Sequence, residues 1–531
     1  MGRTKCTKII ENVLCPYFKK ELIADIGDSV FSLLIDESTD VSMKKQLGIV
    51  VCYYSESSRC IVNTFLKLVE LEDSTASAIT KAILLTLNEF NVNLKKFKGL
   101  GTDNANAMVG ANKGVIAQLK KKNSNIILVP CVCHSVQLAV SSASKCMPNE
   151  IEYLISESYN WFAKSPSRQN SYQSLYLSLN NGQEPLVRAC DTRWLSIEVA
   201  VKRIVDQWFE LKAHFNEVSS KHQCHKAKHL SELYTDYNLA YLLFLKPVLA
   251  EVQKVNKSFE SNSADPTKLF SDLKCLLQSL CSQIVIPDEN FDSLSSPLEQ
   301  FLKSSPQFSY KFELYMRDKI KNGIINENSE QLIRQKCRSF LIKLIEQLRQ
   351  RLPANMDTLR KIDFLSVDNS LKIVKPNTFS HIKNEKYNYT ADEITMIEAQ
   401  WRNLLNYKWT YTESTVDFWV EVREFKNALQ ENPFTELLQF VFSFLVLPFS
   451  NAEVERLFST MKIVKTKQRN RIKLKMLNAL LNIRCSLKRL QKCCHDFEIS
   501  DDLIKFLESR DNYTNPSSDS SDDEEIIIPI L

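Results

Sequence analysis

The stretch that decides the fold of this chain is Val30-Phe-Ser-Leu-Leu-Ile35, followed directly by Asp36-Glu-Ser-Thr-Asp40. Its first six residues are aliphatic or aromatic with one serine, which is typical of a buried strand, and the polar run after them predicts where the strand stops. Two more runs of this kind follow, Leu47–Tyr54 and Cys60–Leu68, joined by a short polar segment. Three strands in succession predict a meander.

Helix and strand patterns alternate after the meander. Apolar spacing predicts helices over 77–90 and 113–122 and a helix that begins at His134, and β-rich runs predict strands over 97–100 and 126–129. The order β-β-β-α-β-α-β-α predicts an α/β architecture, in which a mixed sheet carries helices packed on it.

The strand patterns fade beyond this region. Apolar spacing over 198–432 is helical, which predicts a large all-α insertion, and Pro433 opens a C-terminal helical block. A low-complexity acidic tail follows. The predicted division is a helical lead-in (1–27), the first part of the sheet domain (28–197), the insertion (198–432), the C-terminal block (433–492) and the tail (493–531).

Glycine is scarce and unevenly placed. Of the 9 glycines, Gly99, Gly101, Gly110 and Gly114 fall within one 16-residue window, and none follows Gly323. Neither G-x-G-x-x-G nor G-x-x-x-x-G-K-[ST] occurs, which argues against dinucleotide-binding and P-loop enzymes and predicts no nucleotide cofactor. We expect a mostly helical protein with one glycine-rich functional turn, where Gly99 and Gly101 let a strand end turn sharply.

The formal net charge of +5 hides a split between two regions. Residues 501–531 hold nine acidic and two basic residues, so residues 1–500 carry +12, and 461–492 contain eleven Lys/Arg and no acid. A basic stripe of this kind fits a phosphate backbone, and it also fits a solvated helix face. The 15 cysteines, without C-x-x-C pairs, predict reduced thiols, and no apolar run approaches the ~20 residues that cross a bilayer.

Two carboxylates stand at predicted strand ends. Asp36 follows the first strand and Asp103 follows the fourth. If these strands are neighbours, the two side chains repel one another unless a cation lies between them, and Mg²⁺ is held by such carboxylates together with phosphate oxygens. An aspartate at a strand end also caps the following helix, so the spacing alone leaves both roles open.

Six segments carry a recognisable pattern in the order Leu33-Leu-Ile-Asp-Glu-Ser-Thr-Asp40, Gly101-Thr-Asp-Asn-Ala-Asn-Ala-Met-Val-Gly110, Cys131-Val-Cys-His134, Asp191-Thr-Arg-Trp-Leu-Ser196, Leu447-Pro-Phe-Ser-Asn-Ala-Glu-Val-Glu-Arg-Leu-Phe-Ser459 and Lys465-Thr-Lys-Gln-Arg-Asn-Arg471. Together they resemble the hAT transposase superfamily, particularly its domesticated BED-finger-associated and zinc-finger-MYM-like relatives. The last two segments resemble the hAT C-terminal dimerisation region and are the most specific.

The resemblance implies an RNase H-like core that is interrupted by the helical insertion and closed by the C-terminal block. It also implies a D-D-E triad of Asp36, Asp103 and Glu455, which would hold Mg²⁺ or Mn²⁺ for hydrolysis and strand transfer of DNA. Glu453, on the same helix, would point about 200° away from Glu455, so both cannot face one site. The E-R-x-F-S register of the family favours Glu455.

Further roles are expected from the resemblance together with the charge and the leucine spacing of the C-terminal block. Cys131 and His134 are expected to support the acidic cluster and not to bind zinc, because two ligands do not make a tetrahedral site. Trp194 either stacks on a flipped base or is a core aromatic. The implied DNA-binding residues are Arg193, Trp194, Lys465, Lys467, Arg469 and Arg471, and the implied dimerisation residues are Phe458, Leu477, Leu480 and Leu481.

The expected partners are DNA and a second copy of the chain, in the nucleus and away from membranes. Three functional hypotheses stay open at this point. The chain is a transposase-derived enzyme, or it is a domesticated non-catalytic nuclear protein that acts through DNA binding and dimerisation. In the third hypothesis it is a helical scaffold whose carboxylates are only helix caps.

Overall fold

The computed structural model describes residues 3–163, 165–179, 194–221, 224–262, 264–374 and 389–508. Within these ranges the strands form one mixed sheet in the order β3-β2-β1-β4-β5. The antiparallel meander consists of β1 (Phe31–Thr39), β2 (Lys45–Ser55) and β3 (Cys60–Glu70), and β4 (Phe97–Thr102) and β5 (Ile127–Pro130) extend the sheet in parallel. The predicted strand order and the α/β sheet are confirmed.

Helices make up most of the remaining described chain. The first are α1 (Arg3–Ile9), α2 (Cys15–Ile26), α3 (Ala76–Glu89), α4 (Asn106–Val109), α5 (Val115–Lys120), α6 (Val132–Ser144), α7 (Asn149–Ala163) and α8 (Pro166–Leu179). Next come α9 (Trp194–Asp206), α10 (Trp208–Lys221), α11 (His225–Leu233), α12 (Asp236–Glu260), α13 (Leu269–Ile284), α14 (Tyr310–Lys321), α15 (Glu327–Arg351), α16 (Pro353–Asp363) and α17 (Val367–Ser370). The last are α18 (Ala391–Asn403), α19 (Thr415–Glu424), α20 (Thr435–Leu445), α21 (Ala452–Val464), α22 (Leu474–Arg489) and α23 (Asp501–Glu508). Searching the described helices finds none long and apolar enough to cross a membrane.

The chain divides into two compact units. One unit comprises 1–131, 263–268 and 354–531 and combines the sheet with the C-terminal helices, and the other comprises 132–262 and 269–353 and is helical. The helical unit begins before residue 198, because α6 and α9 pack with α12 and α6 also packs with α15. The five-part division of the sequence remains a prediction.

β1 is longer than the sequence pattern indicates. Antiparallel pairing with β2 continues as far as Thr39 opposite Lys45, whereas parallel pairing with β4 runs only from Phe31 to Leu34. The prediction that the strand stops before Asp36 is therefore wrong for the pairing with β2, because residues 36–39 continue the strand and pair with that neighbour.

The sheet is covered on both faces, and side chains alternate between them. One face packs on α2, α3 and α5 through a core that includes Leu33, Ile35, Ile49, Ile26, Ile79, Ile83 and Leu119. The other face packs on α21 and α22 through a core that includes Leu34, Val50, Phe65, Val454, Phe458, Leu477 and Leu481. The C-terminal helices therefore complete the sheet domain, although most of the chain lies between them and the strands in sequence.

The helical unit contains a buried histidine. The indole Nε1–H of Trp161 donates a hydrogen bond of 3.2 Å to Nε2 of His214, and the rings of Phe162, Tyr172 and Phe215 pack around the imidazole. Burial lowers the pKa of His214 to about 4, because the charged form would lose its hydration. The imidazole is therefore neutral in the folded unit and accepts the hydrogen bond from the indole N–H.

We predict that this histidine makes stability depend on pH. Its folded pKa is depressed below the ordinary value near 6.5, so its contribution is present above that value and is lost as pH falls toward about 4. Urea unfolding of the full chain at pH 7 and pH 5 should show about 2 kcal/mol less stability from this residue at pH 5. In His214→Gln, which keeps an acceptor for Trp161 but does not titrate, that part of the pH dependence should disappear. An identical pH dependence in both proteins would contradict the neutral buried imidazole.

Candidate functional site

Two predicted site residues follow the paired part of β1 and β4. The two strands are parallel, and their pairing ends where Leu34 lies opposite Gly101. Asp36 lies two residues further along β1, and Asp103 lies just after the end of β4. Each carboxylate also binds locally, since Asp36 Oδ1 accepts the Glu37 N–H at 2.8 Å and Asp103 Oδ1 accepts the Ala105 N–H at 3.2 Å.

The side chain of Asp36 lies on the face of the sheet that α21 covers. Asp36 is directly opposite Gly48 on β2, and residues directly opposite each other project to the same face. A β carbon on Gly48 would lie 3.0 Å from Phe458 Cζ and 3.2 Å from Val454 Cγ1. Asp36 and α21 therefore share one side of the sheet.

Two glycines of β4 make room for the chain that leads into α21. A β carbon on Gly99 would lie 2.6 Å from Leu447 Cδ2, and one on Gly101 would lie 2.8 Å from Pro448 Cγ. Both residues are inside β4, so the expectation that they let the strand end turn sharply is wrong. They are needed because residues 447–448 pack directly on the strand backbone.

Asn451 connects the start of α21 to the same edge of the sheet by two hydrogen bonds. This residue is buried, its backbone N–H donates to Cys131 Sγ at 3.3 Å, and its side-chain Nδ2 donates to the carbonyl oxygen of Ile35 at 3.3 Å. One asparagine therefore links β1 to the residue after β5. Sequence reasoning did not single out Asn451, although it lies inside the Leu447–Ser459 segment that carries the family pattern.

The contacts of α21 separate its two glutamates. Glu453 and Glu455 lie about 100° to either side of Val454, which faces the sheet. Glu453 is on the flank toward β2 and α22. Burial raises the pKa of the Cys485 thiol on α22 to about 11, and the nearby Glu453 carboxylate adds to this rise. Asn451 is on the opposite flank, toward β1 and β5, and Glu455 lies on that flank and is exposed.

Among the residues that the structure describes, no group of three or more His, Cys, Asp or Glu side chains is placed to hold a metal ion. The donor chemistry of Asp36 and Asp103 suits a hard cation such as Mg²⁺, which takes one or two carboxylates.

The basic residues of the C-terminal block fall into two environments. Lys465 is 7% exposed and Asp40 is 1% exposed, and Lys465 Nζ lies 2.8 Å from Asp40 Oδ2. Its ammonium group therefore binds Asp40 inside the fold, and Lys465 is not among the residues that we propose to contact DNA. Lys467 and Arg471 are exposed, and Arg469 is half-buried.

The Asp40 carboxylate is held in its charged form. Burial raises the pKa of Asp40, but the hydrogen bonds from Lys465 Nζ and from the N–H groups of Lys44 and Ser42 outweigh it, so the pKa is lowered. The Ser42 hydroxyl also donates to the carbonyl oxygen of Asn470 at 3.1 Å. The turn between β1 and β2 thus holds the segment 465–470 at both ends.

The residues predicted to form a dimer face pack within one chain. Phe458, Leu477 and Leu481 are buried in the core between the sheet and the C-terminal helices, and Leu480 packs against it. Phe458, Leu477 and Leu481 are therefore used within the core of a single chain.

The remaining predicted residues lie elsewhere. Arg193 is outside the described residues, and Trp194 begins α9 in the helical unit. His134 lies on α6 of that unit, whereas Cys131 belongs to the sheet unit.

Two family models match parts of the chain. Residues 4–114 match the ZMYM1/FAM200 RNase-like domain, and residues 411–487 match the hAT family C-terminal dimerisation region. A curated protein from Bos taurus, General transcription factor II-I repeat domain-containing protein 2, is 23% identical over 264 residues, or 47% of this chain and 26% of that protein. The chain thus spans about a quarter of the length of that relative. The two matched regions contain the sheet edge and α21, and they confirm the resemblance to hAT-derived proteins.

We predict that the Lys465–Asp40 pair contributes strongly to stability. Lys465→Met leaves a buried carboxylate without its counter-charge and should cost about 3 kcal/mol, which urea unfolding would measure. Lys475→Met is the matched control, because Lys475 pairs with Glu11 at 3.0 Å but is 72% exposed, and its loss should cost less than about 1 kcal/mol. The double change Asp40→Asn with Lys465→Met should cost less than the two single changes added together. Equal effects of the two lysine changes would refute the assignment.

Proposed function

We propose that this hAT-derived chain, which combines an RNase-like domain with a hAT C-terminal dimerisation region, is a nuclear DNA-binding protein that self-associates. The observation that carries the proposal is the basic segment 461–492, which has eleven Lys/Arg and no acid. Positive charge without neighbouring acids in the sequence attracts a phosphate backbone and gives binding that weakens with salt.

The arrangement of this segment supports a role in binding. Lys465 is buried and paired with Asp40, whereas Lys467, Arg471 and Lys473, which follow it in the segment, are exposed. The contacts of Ser42 and Asp40 hold these exposed residues close to the turn between β1 and β2. Charged side chains on a fixed backbone segment lose less conformational entropy on binding than those on a mobile segment.

Self-association and nuclear location rest on the family. The dimerisation region spans 411–487 and includes α21 and α22, whose apolar faces cover the sheet of the same chain. We infer that exposed residues of this region make the contact between copies. The nucleus is proposed because the chain is hAT-derived and one relative is named as a general transcription factor repeat-domain protein.

Metal-dependent strand cleavage is a second candidate function. It is supported by the parallel pairing of β1 with β4, which ends two residues before Asp36 and two residues before Asp103, and by the exposed position of Glu455 on α21. Mg²⁺ or Mn²⁺ would be held by Asp36 and Asp103 with phosphate oxygens of the substrate, and it would neutralise charge on the phosphodiester. The alternative is a domesticated protein that keeps the fold and binds DNA without cutting it.

The first prediction from the proposal concerns salt-dependent binding. Lys467→Glu with Arg471→Glu should weaken binding of duplex DNA and reduce the slope of log affinity against log salt by about 2, because each lost phosphate contact removes about 0.9. Fluorescence anisotropy at several salt concentrations measures this slope. The matched control is Lys408→Glu with Lys426→Glu, two exposed lysines outside the segment, which should leave the slope unchanged. If both pairs act alike, the segment is not the binding surface.

The second prediction separates the two candidate functions. Nicking of supercoiled plasmid in Mg²⁺ or Mn²⁺ should be abolished by Asp36→Asn, Asp103→Asn or Glu455→Gln while DNA binding is kept. Glu453→Gln is the matched control, because its carboxylate lies on the other flank of the helix, and it should still nick. A wild-type chain that binds duplex DNA but never nicks it would eliminate the cleavage candidate and leave the binding proposal intact.

A further inference from the structure

The sheet unit has a second basic surface, on the side away from α21. It is a groove of about 740 Å³ between α3 and α5, both of which pack on the opposite face of the sheet. Its lining includes Lys81, Leu84, Leu85, Lys113, Lys121 and Lys122. We call this surface the α3–α5 groove.

The chemistry of the α3–α5 groove is cationic and apolar at once. Lys81, Lys113, Lys121 and Lys122 are exposed, no Asp or Glu lines the groove, and none of the four lysines has an ion pair within the described residues. Leu85 is 58% exposed beside them. A fitting partner supplies several carboxylates together with apolar side chains, because the carboxylates neutralise the lysines and the apolar side chains cover the leucine.

The chain itself contains a segment of that chemistry. Residues 519–525 read Asp-Ser-Ser-Asp-Asp-Glu-Glu and hold five acids, and residues 526–531 read Ile-Ile-Ile-Pro-Ile-Leu. We propose that residues 519–531 bind in the α3–α5 groove, with the acidic run on the lysines and the isoleucine run on the leucines. A DNA backbone would match the lysines equally well, but it would leave Leu85 uncovered.

The packing of the described C-terminal segment supports this occupant. The ring of Phe497 lies 5.2 Å from that of Phe18 on α2, and the next residue along, Lys19, binds Glu89 at the end of α3 with an N–O distance of 2.7 Å. Phe497 is therefore held near the end of α3, which borders the groove at Asn88. Ten residues, 509–518, lie between Glu508 and position 519, and this stretch spans at most about 40 Å when extended.

The test uses a fluorescent peptide of residues 516–531 and the full-length chain. In one form of the chain the tail is neutralised by Asp522→Asn, Asp523→Asn, Glu524→Gln and Glu525→Gln. The peptide should bind this form at least 10-fold more tightly than it binds the wild type, because the wild-type tail occupies the groove in cis at a high effective concentration. Fluorescence anisotropy measures both affinities.

Variants of the neutralised chain locate the binding surface. Lys81→Glu with Lys121→Glu, and separately Leu85→Ser, should each weaken peptide binding by at least 10-fold. Lys467→Glu with Arg471→Glu is the charge-matched control and should leave it unchanged. All of these side chains are exposed, and equal melting temperatures would confirm that the variants fold.

Three results would overturn the proposal. The peptide does not bind, or it binds the wild-type and neutralised chains equally well, or it loses affinity in the control and not in the groove variants. Loss of DNA affinity in the groove variants with unchanged peptide binding would identify the groove as a nucleic-acid surface instead. Peptide binding is measured without DNA, so its outcome is independent of the function proposed above.

Discussion

The close packing of residues 447–451 on the carboxyl edge of the sheet is the contact on which the rest of the site depends. It requires that β4 present no side chains at Gly99 and Gly101, because a β carbon there would stand 2.6 Å from Leu447 Cδ2 or 2.8 Å from Pro448 Cγ. Contacts this short force atoms apart in a packed core. The two glycines therefore decide whether α21 can begin where it does.

The same contact explains why the chain returns to the sheet after the helical unit. Asn451 satisfies the carbonyl oxygen of Ile35 and the thiol of Cys131, two acceptors at the edge that the segment buries. A buried polar group without a partner costs free energy, so these bonds favour one position of the segment over its neighbours. Farther along, the buried pair of Lys465 with Asp40 repeats this arrangement with charges. These interior contacts position the exposed basic side chains that follow Lys465.

The sequence predicts the order of elements better than it predicts the roles of single residues. Strand order follows from alternating runs that are long and clearly bounded. The length of β1 does not, because Asp36–Thr39 is polar and is held by backbone pairing that side-chain patterns do not record. Lys465 resembles its basic neighbours in sequence, and only the fold shows that Asp40, 425 residues away, lies against it. The apolar stripe of α22 likewise predicts a buried face but not whether that face meets the same chain or a second copy.

The distribution of charge links the two surfaces of the sheet unit. The basic segment after Lys465 and the α3–α5 groove lie on opposite faces of one sheet. The basic segment has no acid beside it in sequence, and no Asp or Glu lines the groove. The segment 501–531 carries nine acids against two bases, which is more negative charge than the four lysines of the α3–α5 groove need for neutralisation. Salt screens the attraction between exposed charges, whereas the burial of apolar surface adds a separate contribution. The exposed Leu85 therefore favours the α3–α5 groove over the basic segment as the binding surface for the tail. In the proposed arrangement, a tail bound in the α3–α5 groove leaves the basic segment free for phosphate, so the two surfaces of one sheet unit would bind different partners.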